Sequence, residues 1–149
     1  MKGKIVYGDL VASTPFENLL HSIELQGKVI KEIFEFSVEN ENSKSLLQVS
    51  GLKIVFDMKK TVNNRVVSIE VLCRICENNV PKYEPIDYEK NYRIAMPSYL
   101  AEGGDSFSMI PRNSRNLIIG PVDIDALTKY IEKQSPIIKP PLTGRITFV

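Results

Sequence analysis

The chain has no tryptophan, one histidine and two cysteines in 149 residues. Each scarcity closes a route. A Ser-His-Asp or Cys-His engine needs a histidine base. His21 lies in an extended run with no cue pairing it to a nucleophile, so it reads as a structural or surface residue. A zinc site needs about four ligands, and Cys73, Cys76 and His21 do not supply them. A thioredoxin-like pair caps a helix, whereas "ENNVPKYEP" after "LCRIC" is turn chemistry. Cys73 and Cys76 are then either a small structural disulfide or two free thiols. Closing so short a loop is worth roughly 2 kcal/mol in the chain-entropy picture, and an oxidised pair would imply an extracellular compartment.

Long apolar runs are also missing. Nothing approaches the roughly 18–20 residues of a membrane helix, and a net charge of +1 offers no basic surplus to an anionic membrane, so a membrane is not expected as a partner. The opening "MKGKIVYGDLVAS" is broken by Asp9 and does not read as a signal peptide. The closing "GRITFV" carries no anchor tail. Nor is there a surplus of either charge. Nineteen Lys+Arg against eighteen Asp+Glu leave +1, which argues against nucleic acid, whose binding needs a basic face.

What is present is the material of one ordinary globular domain, 1–149, with 43% apolar residues and length for a real core. "GKIVY" (3–7) reads as a short strand and 8–16 as a helical turn, with Asp9 as cap and Pro15 as stop. "LLHSIELQG" (19–27) is extended. Val29, Ile30, Ile33, Phe34 and Ser37 then fall on one face of a helix, with Lys28, Lys31, Glu32 and Glu35 outside it. Polar 39–45 reads as a loop. The period changes over 46–58 and 65–73, which read as strands joined by a hairpin loop. "NYRIAM" (91–96) alternates as a strand. "VDIDALTKYIEK" (122–133) is a second helix, with Asp123 or Asp125 in its first turn and Ile124, Leu127 and Ile131 inward. "SPIIKPP" (135–141) is an extended crossover, and 144–149 a last strand. This order predicts an α+β fold, with a mixed or mostly antiparallel β-sheet and a few helices.

One segment, "MPSYLAEGGDSFSMI" (96–110), stands apart. Gly103 and Gly104 permit positive φ or a close backbone approach, and they precede Asp105. Read from the residues alone, this is either a glycine turn beside a core aromatic, the favoured reading, or a pocket that holds something flat and polar.

Five ordered stretches change that reading: "GDLVASTPFENLLHSIELQGKVIKEIFEFSV", "LLQVSGLKIVFD", "NRVVSIEVLCRIC", "VPKYEPIDYEKNYRIAMPSYLAEGGDSFSMI" and "GRITFV". Together they resemble the C-terminal domain of the 5′-nucleotidase family over almost the whole chain. The "LCRIC" pair and the closing "GRITFV" resemble the animal branch, ecto-5′-nucleotidase and the secreted salivary apyrases. The resemblance implies a domain that binds the nucleoside part of an adenine nucleotide. Phe16 of "TPFEN" and Tyr99 of "PSYLAEGGD" match the two rings that sandwich the base, and Asp105 of "EGGD" matches the carboxylate that takes the ribose hydroxyls. It also implies an extracellular setting, a Cys73–Cys76 disulfide and a homodimer as a possible assembly.

In this family two divalent metals sit in a separate N-terminal metallophosphatase domain. Its Asp-x-His and Asn-His-Glu motifs do not occur here, nor does the Gly-rich, Arg-bearing loop upstream in the C-terminal domain. The chain thus reads as an N-terminally shortened C-terminal domain with no cofactor and no catalysis of its own. The alternative is a stand-alone secreted binding protein that scavenges nucleotides or blocks a platelet or host receptor. There are departures too: Tyr99 stands where Phe is common, Glu102 where the vertebrate enzyme has Asn, and Ser106 where Gly is usual.

Overall fold

The computed structural model describes residues 3–39, 45–73, 82–136 and 144–149. Within them lie two sheets and five α-helices. The helices are α1 (Tyr7–Ser13), α2 (Gly27–Ser37), α3 (Ser98–Ala101), α4 (Met109–Asn113) and α5 (Asp123–Gln134). The strands are β1 (Leu19–Gln26), β2 (Leu52–Phe56), β3 (Val66–Leu72), β4 (Tyr83–Pro85), β5 (Asn91–Pro97), β6 (Arg115–Val122) and β7 (Ile146–Phe148). One sheet has the order β5-β1-β6, the other β4-β3-β2-β7. All pairings are antiparallel except β2 with β7. The α+β class is as expected, with two sheets rather than one.

The α2 helix packs against β1, β3 and α4 and so links the sheets. Its Val29, Ile30, Ile33 and Phe34 meet Ile23 and Leu25 of β1, Ile54 and Phe56 of β2, and Ile69 of β3 in one buried cluster. This is the inward face that the 3.6-residue period marks. Phe148 of β7 stacks on Phe56 at 5.4 Å between centroids. Ile124 of α5 is buried, with Leu127 and Ile131 partly so, again on the expected face.

Three local expectations fail, and two strands go unannounced. Residues 3–7 make no strand: Tyr7 already opens α1, and the Val6 N–H donates to Asp9 Oδ2 at 2.9 Å. Ile5, Val6 and Tyr7 are exposed, and no neighbouring strand pairs with them. Residues 46–51 precede β2 rather than belong to it. The short β4 and the long β6 carry no alternation to announce them. Most β6 residues are exposed, and because β6 is an edge strand Pro121 is tolerated there. Finally, Glu35 is not on the wet face of α2. It is buried, its Oε2 accepting the Arg65 N–H at 2.8 Å and its Oε1 the Val66 N–H at 3.1 Å. The parts of the 39–45 loop and the 135–141 crossover at 40–44 and 137–141 lie outside the described residues.

A polar triad ties the three strands of the first sheet. Glu24 of β1 accepts from the Arg93 guanidinium of β5 and, at 2.6 Å, from the Asn116 amide of β6. The Asn116 hydrogen bond is the main cause holding the Glu24 carboxyl below its ordinary 4.5; desolvation opposes it and Arg93 adds to it. A lowered carboxylate stabilises the fold fully above the ordinary range and loses that contribution as pH falls through its folded value. Glu24→Gln is therefore expected to narrow the gap between the denaturant midpoints at about pH 7 and about pH 3. An unchanged gap would show that the triad does not contribute.

Candidate functional site

Phe16 and Tyr99 lie far apart in the sequence, and a strand ladder and one side chain bring their segments together. Strand β1 begins at Leu19 and pairs antiparallel with the end of β5, Leu20 opposite Pro97. Chain entry to β1 and exit from β5 are therefore neighbours. Asn18 locks the junction. Its Oδ1 accepts the Tyr99 N–H at 3.3 Å and lies 3.5 Å from the Ser98 hydroxyl, while the Leu19 N–H donates to Ser98 Oγ at 3.2 Å. The carbonyl of Asn18 also accepts the Asp123 N–H at 2.8 Å, so the start of α5 joins the same point. Asn18 thus serves amide donors at the starts of two helices, whose first N–H groups lack intrahelical partners.

The rings flank this junction. Phe16 is 83% and Tyr99 53% exposed, and neither ring stacks on another aromatic among the described residues. A phenylalanine so exposed gains little from the fold, and Glu17 beside it holds φ 50°. Tyr99 sits in the first turn of α3, with its ring against Gly104. A Cβ built on Gly104 would lie 2.4 Å from Tyr99 Cε1 and 2.5 Å from Cζ. Gly104 is thus needed for a close approach, while Gly103 takes the left-handed turn at φ 93°.

Asp105 follows at φ 50° and Ser106 at φ 68°, conformations that cost non-glycine residues energy unless other contacts hold them. The Tyr99 hydroxyl supplies such contacts. It donates to Asp105 Oδ1 at 2.9 Å and accepts the Asp105 N–H at 3.2 Å. Below the turn, Phe107 and Ile110 are buried, and Phe107 meets Phe36 of α2 edge-on at 4.9 Å. The turn is therefore anchored in the core on one side and open on the other. Glu102 is exposed at the end of α3.

The structure thus brings Tyr99, Gly103, Gly104 and Asp105 into one unit and ties the Phe16 segment to it through Asn18. Asn18 and Ser98 carry no sequence signal for this role, because the helix that Asn18 caps lies about eighty residues away. His21 is buried on β1 opposite Met96. A separate polar hollow of about 240 Å³, between Glu24, Gln26, Asn91, Arg112 and Arg115, lies toward the other end of β1 and shares none of the site residues. Among the described residues, no three or more His, Cys, Asp or Glu side chains cluster as metal ligands, and no helix is long and apolar enough to cross a membrane. Cys73 follows β3, its N–H bonded to the Lys82 carbonyl at 2.8 Å; Cys76 lies outside the described residues.

The junction thus presents two exposed rings beside a tethered carboxylate. The family model described as "5'-nucleotidase, C-terminal domain" matches residues 1–112, and the chain belongs to that family. It is 42% identical over 141 residues to an apyrase of Tabanus yao, covering 91% of this chain and 25% of that protein. It is 37% identical over 149 residues to a snake venom 5'-nucleotidase of Macrovipera lebetinus, covering 99% of this chain and 36% of that one. The structure matches the crystal structure of a 5'-nucleotidase precursor from Thermus thermophilus with a TM-score of 0.87 and 30% identity, over 97% of this chain and 28% of that one. The chain thus spans about a quarter to a third of the length of these relatives.

Proposed function

We propose that the chain is a single nucleoside-binding domain of a 5′-nucleotidase or apyrase-type hydrolase that acts on adenine nucleotides. Phe16 and Tyr99 take the base between their rings, and Asp105 accepts the ribose hydroxyls. The observation that carries this is the Asn18 junction, which couples two exposed aromatic segments far apart in sequence, with Asp105 against one of the rings. A purine offers two π-faces, and stacking on aromatic side chains is worth about 1–3 kcal/mol per base. An ionised carboxylate accepts from two vicinal hydroxyls, as acidic residues do for ribose in dinucleotide folds.

Hydrolysis belongs to a metallophosphatase domain outside this chain. Among the described residues no donor cluster fits a metal pair, so no hydrolytic step is assigned to them. The venom relative supports an extracellular setting, in which a Cys73–Cys76 disulfide would be retained.

Calorimetric titration with adenosine tests the assignment. Binding is expected in the micromolar to millimolar range. Phe16→Ala should weaken it about 5- to 160-fold, the stacking contribution of one ring. Absence of heat from the parent chain up to several millimolar adenosine, with the fold intact by circular dichroism, would overturn the assignment.

A further inference from the structure

Tyr99 carries one group that stacking does not use, its hydroxyl. We infer that Tyr99 is a positioning residue: it links base recognition to ribose recognition by aiming the Asp105 carboxylate. This rests on the base-and-ribose reading above and adds the residue that sets its sugar specificity.

The geometry is a closed loop of two hydrogen bonds between the same two residues. The hydroxyl donates to Asp105 Oδ1 at 2.9 Å and accepts the Asp105 N–H at 3.2 Å. One atom thereby fixes both the side chain and the backbone of Asp105, which stands at φ 50°. With Oδ1 turned toward Tyr99, Oδ2 is left for an incoming hydroxyl; a carboxylate oxygen has two lone pairs, so Oδ1 keeps a second acceptor site as well. The ring is held too. Gly104 covers one face so closely that a Cβ there would fall inside van der Waals distance of three ring carbons. Half of the Tyr99 surface remains open. Stacking face and carboxylate are thus parts of one rigid unit, and rigidity of this kind raises affinity by lowering the ordering cost of binding. A phenylalanine at 99 would stack as well, but it would leave Asp105 without these two bonds.

The test compares adenosine, 2′-deoxyadenosine and adenine on the parent chain, Tyr99→Phe, Asp105→Ala and the double variant, by calorimetry. Tyr99→Phe should leave adenine affinity within about twofold, weaken adenosine about 3- to 10-fold, and shrink the preference for adenosine over 2′-deoxyadenosine. In the Asp105→Ala background the same substitution should have no further effect on adenosine, because the hydroxyl acts only through the carboxylate. Gly104→Ala, which pushes the ring itself, should weaken adenine as well. An unchanged adenosine-to-deoxyadenosine ratio in Tyr99→Phe, or a full effect that persists without Asp105, overturns the inference while leaving the base-and-ribose reading standing. Failure of the parent chain to bind adenosine overturns both.

Discussion

Glu35→Ala is expected to remove about 3 kcal/mol of folding stability, a large share of the roughly 5–15 kcal/mol that a domain of this size possesses. Its carboxylate is 5% exposed and accepts two backbone N–H groups, from Arg65 and Val66, at the start of β3. Alanine leaves both donors buried without a partner, at about 1–3 kcal/mol each. The Arg65 guanidinium donates to the carbonyls of Val38 and Glu39, so the end of α2 and the start of β3 hold each other from both sides. Glu35→Gln should cost about half as much, since its one carbonyl oxygen still accepts while its amide nitrogen faces a donor. Urea unfolding followed by circular dichroism gives the answer through a lower midpoint at unchanged slope. A loss under about 0.5 kcal/mol for alanine would mean that water replaces the carboxylate.

Gly27→Ala should cost about 2–3 kcal/mol, against the direction of helix propensity. At an open helical position alanine is better than glycine by up to about 1 kcal/mol. At Gly27 the new Cβ would stand 2.2 Å from the Asp87 carbonyl oxygen and 2.9 Å from the Tyr88 Cα. Both are backbone atoms. They cannot swing aside, because the Gly27 N–H is bonded to the Lys90 carbonyl and the Lys28 N–H to that of Tyr88. The turn that leads into β5 would have to move as a block, and forced overpacking of this kind costs typically about 1–3 kcal/mol. Gly8→Ala in α1 is the control. Nothing lies within 4 Å of its Cβ position, so it should be neutral or slightly stabilising. Equal effects at the two positions would refute the steric account.

These two residues also show what was legible in the sequence. Helix α2 declared itself because its apolar positions repeat at 3.6 residues, yet the same period assigned Glu35 to solvent: a pattern of polarity cannot see a partner about thirty residues ahead. Gly27 read as the close of an extended run, and its need to be glycine comes from a turn about sixty residues later. Strand β6 escaped because neither of its faces is buried, so it has no polarity alternation to show. The site shows the same division. Resemblance singled out Phe16, Tyr99, Gly103, Gly104 and Asp105. The bonds that join them, through Asn18 and the Tyr99 hydroxyl, depend on β1 lying against β5, which the residues alone do not specify.

The pairing of β1 with β5 has a consequence for folding kinetics. Leu20 and Pro97 pair across the 76 residues that lie between them, and closing such a loop costs entropy. The junction that would carry the proposed clamp is therefore a late product of folding rather than a local motif. A partly folded chain would have both rings and no grip. Occupancy by a nucleoside would then draw on the native state alone and raise the whole stability curve, by about 2.7 kcal/mol at a ligand concentration about one hundred times the dissociation constant. A small molecule held at one corner would thus act as a fastener for the entire chain.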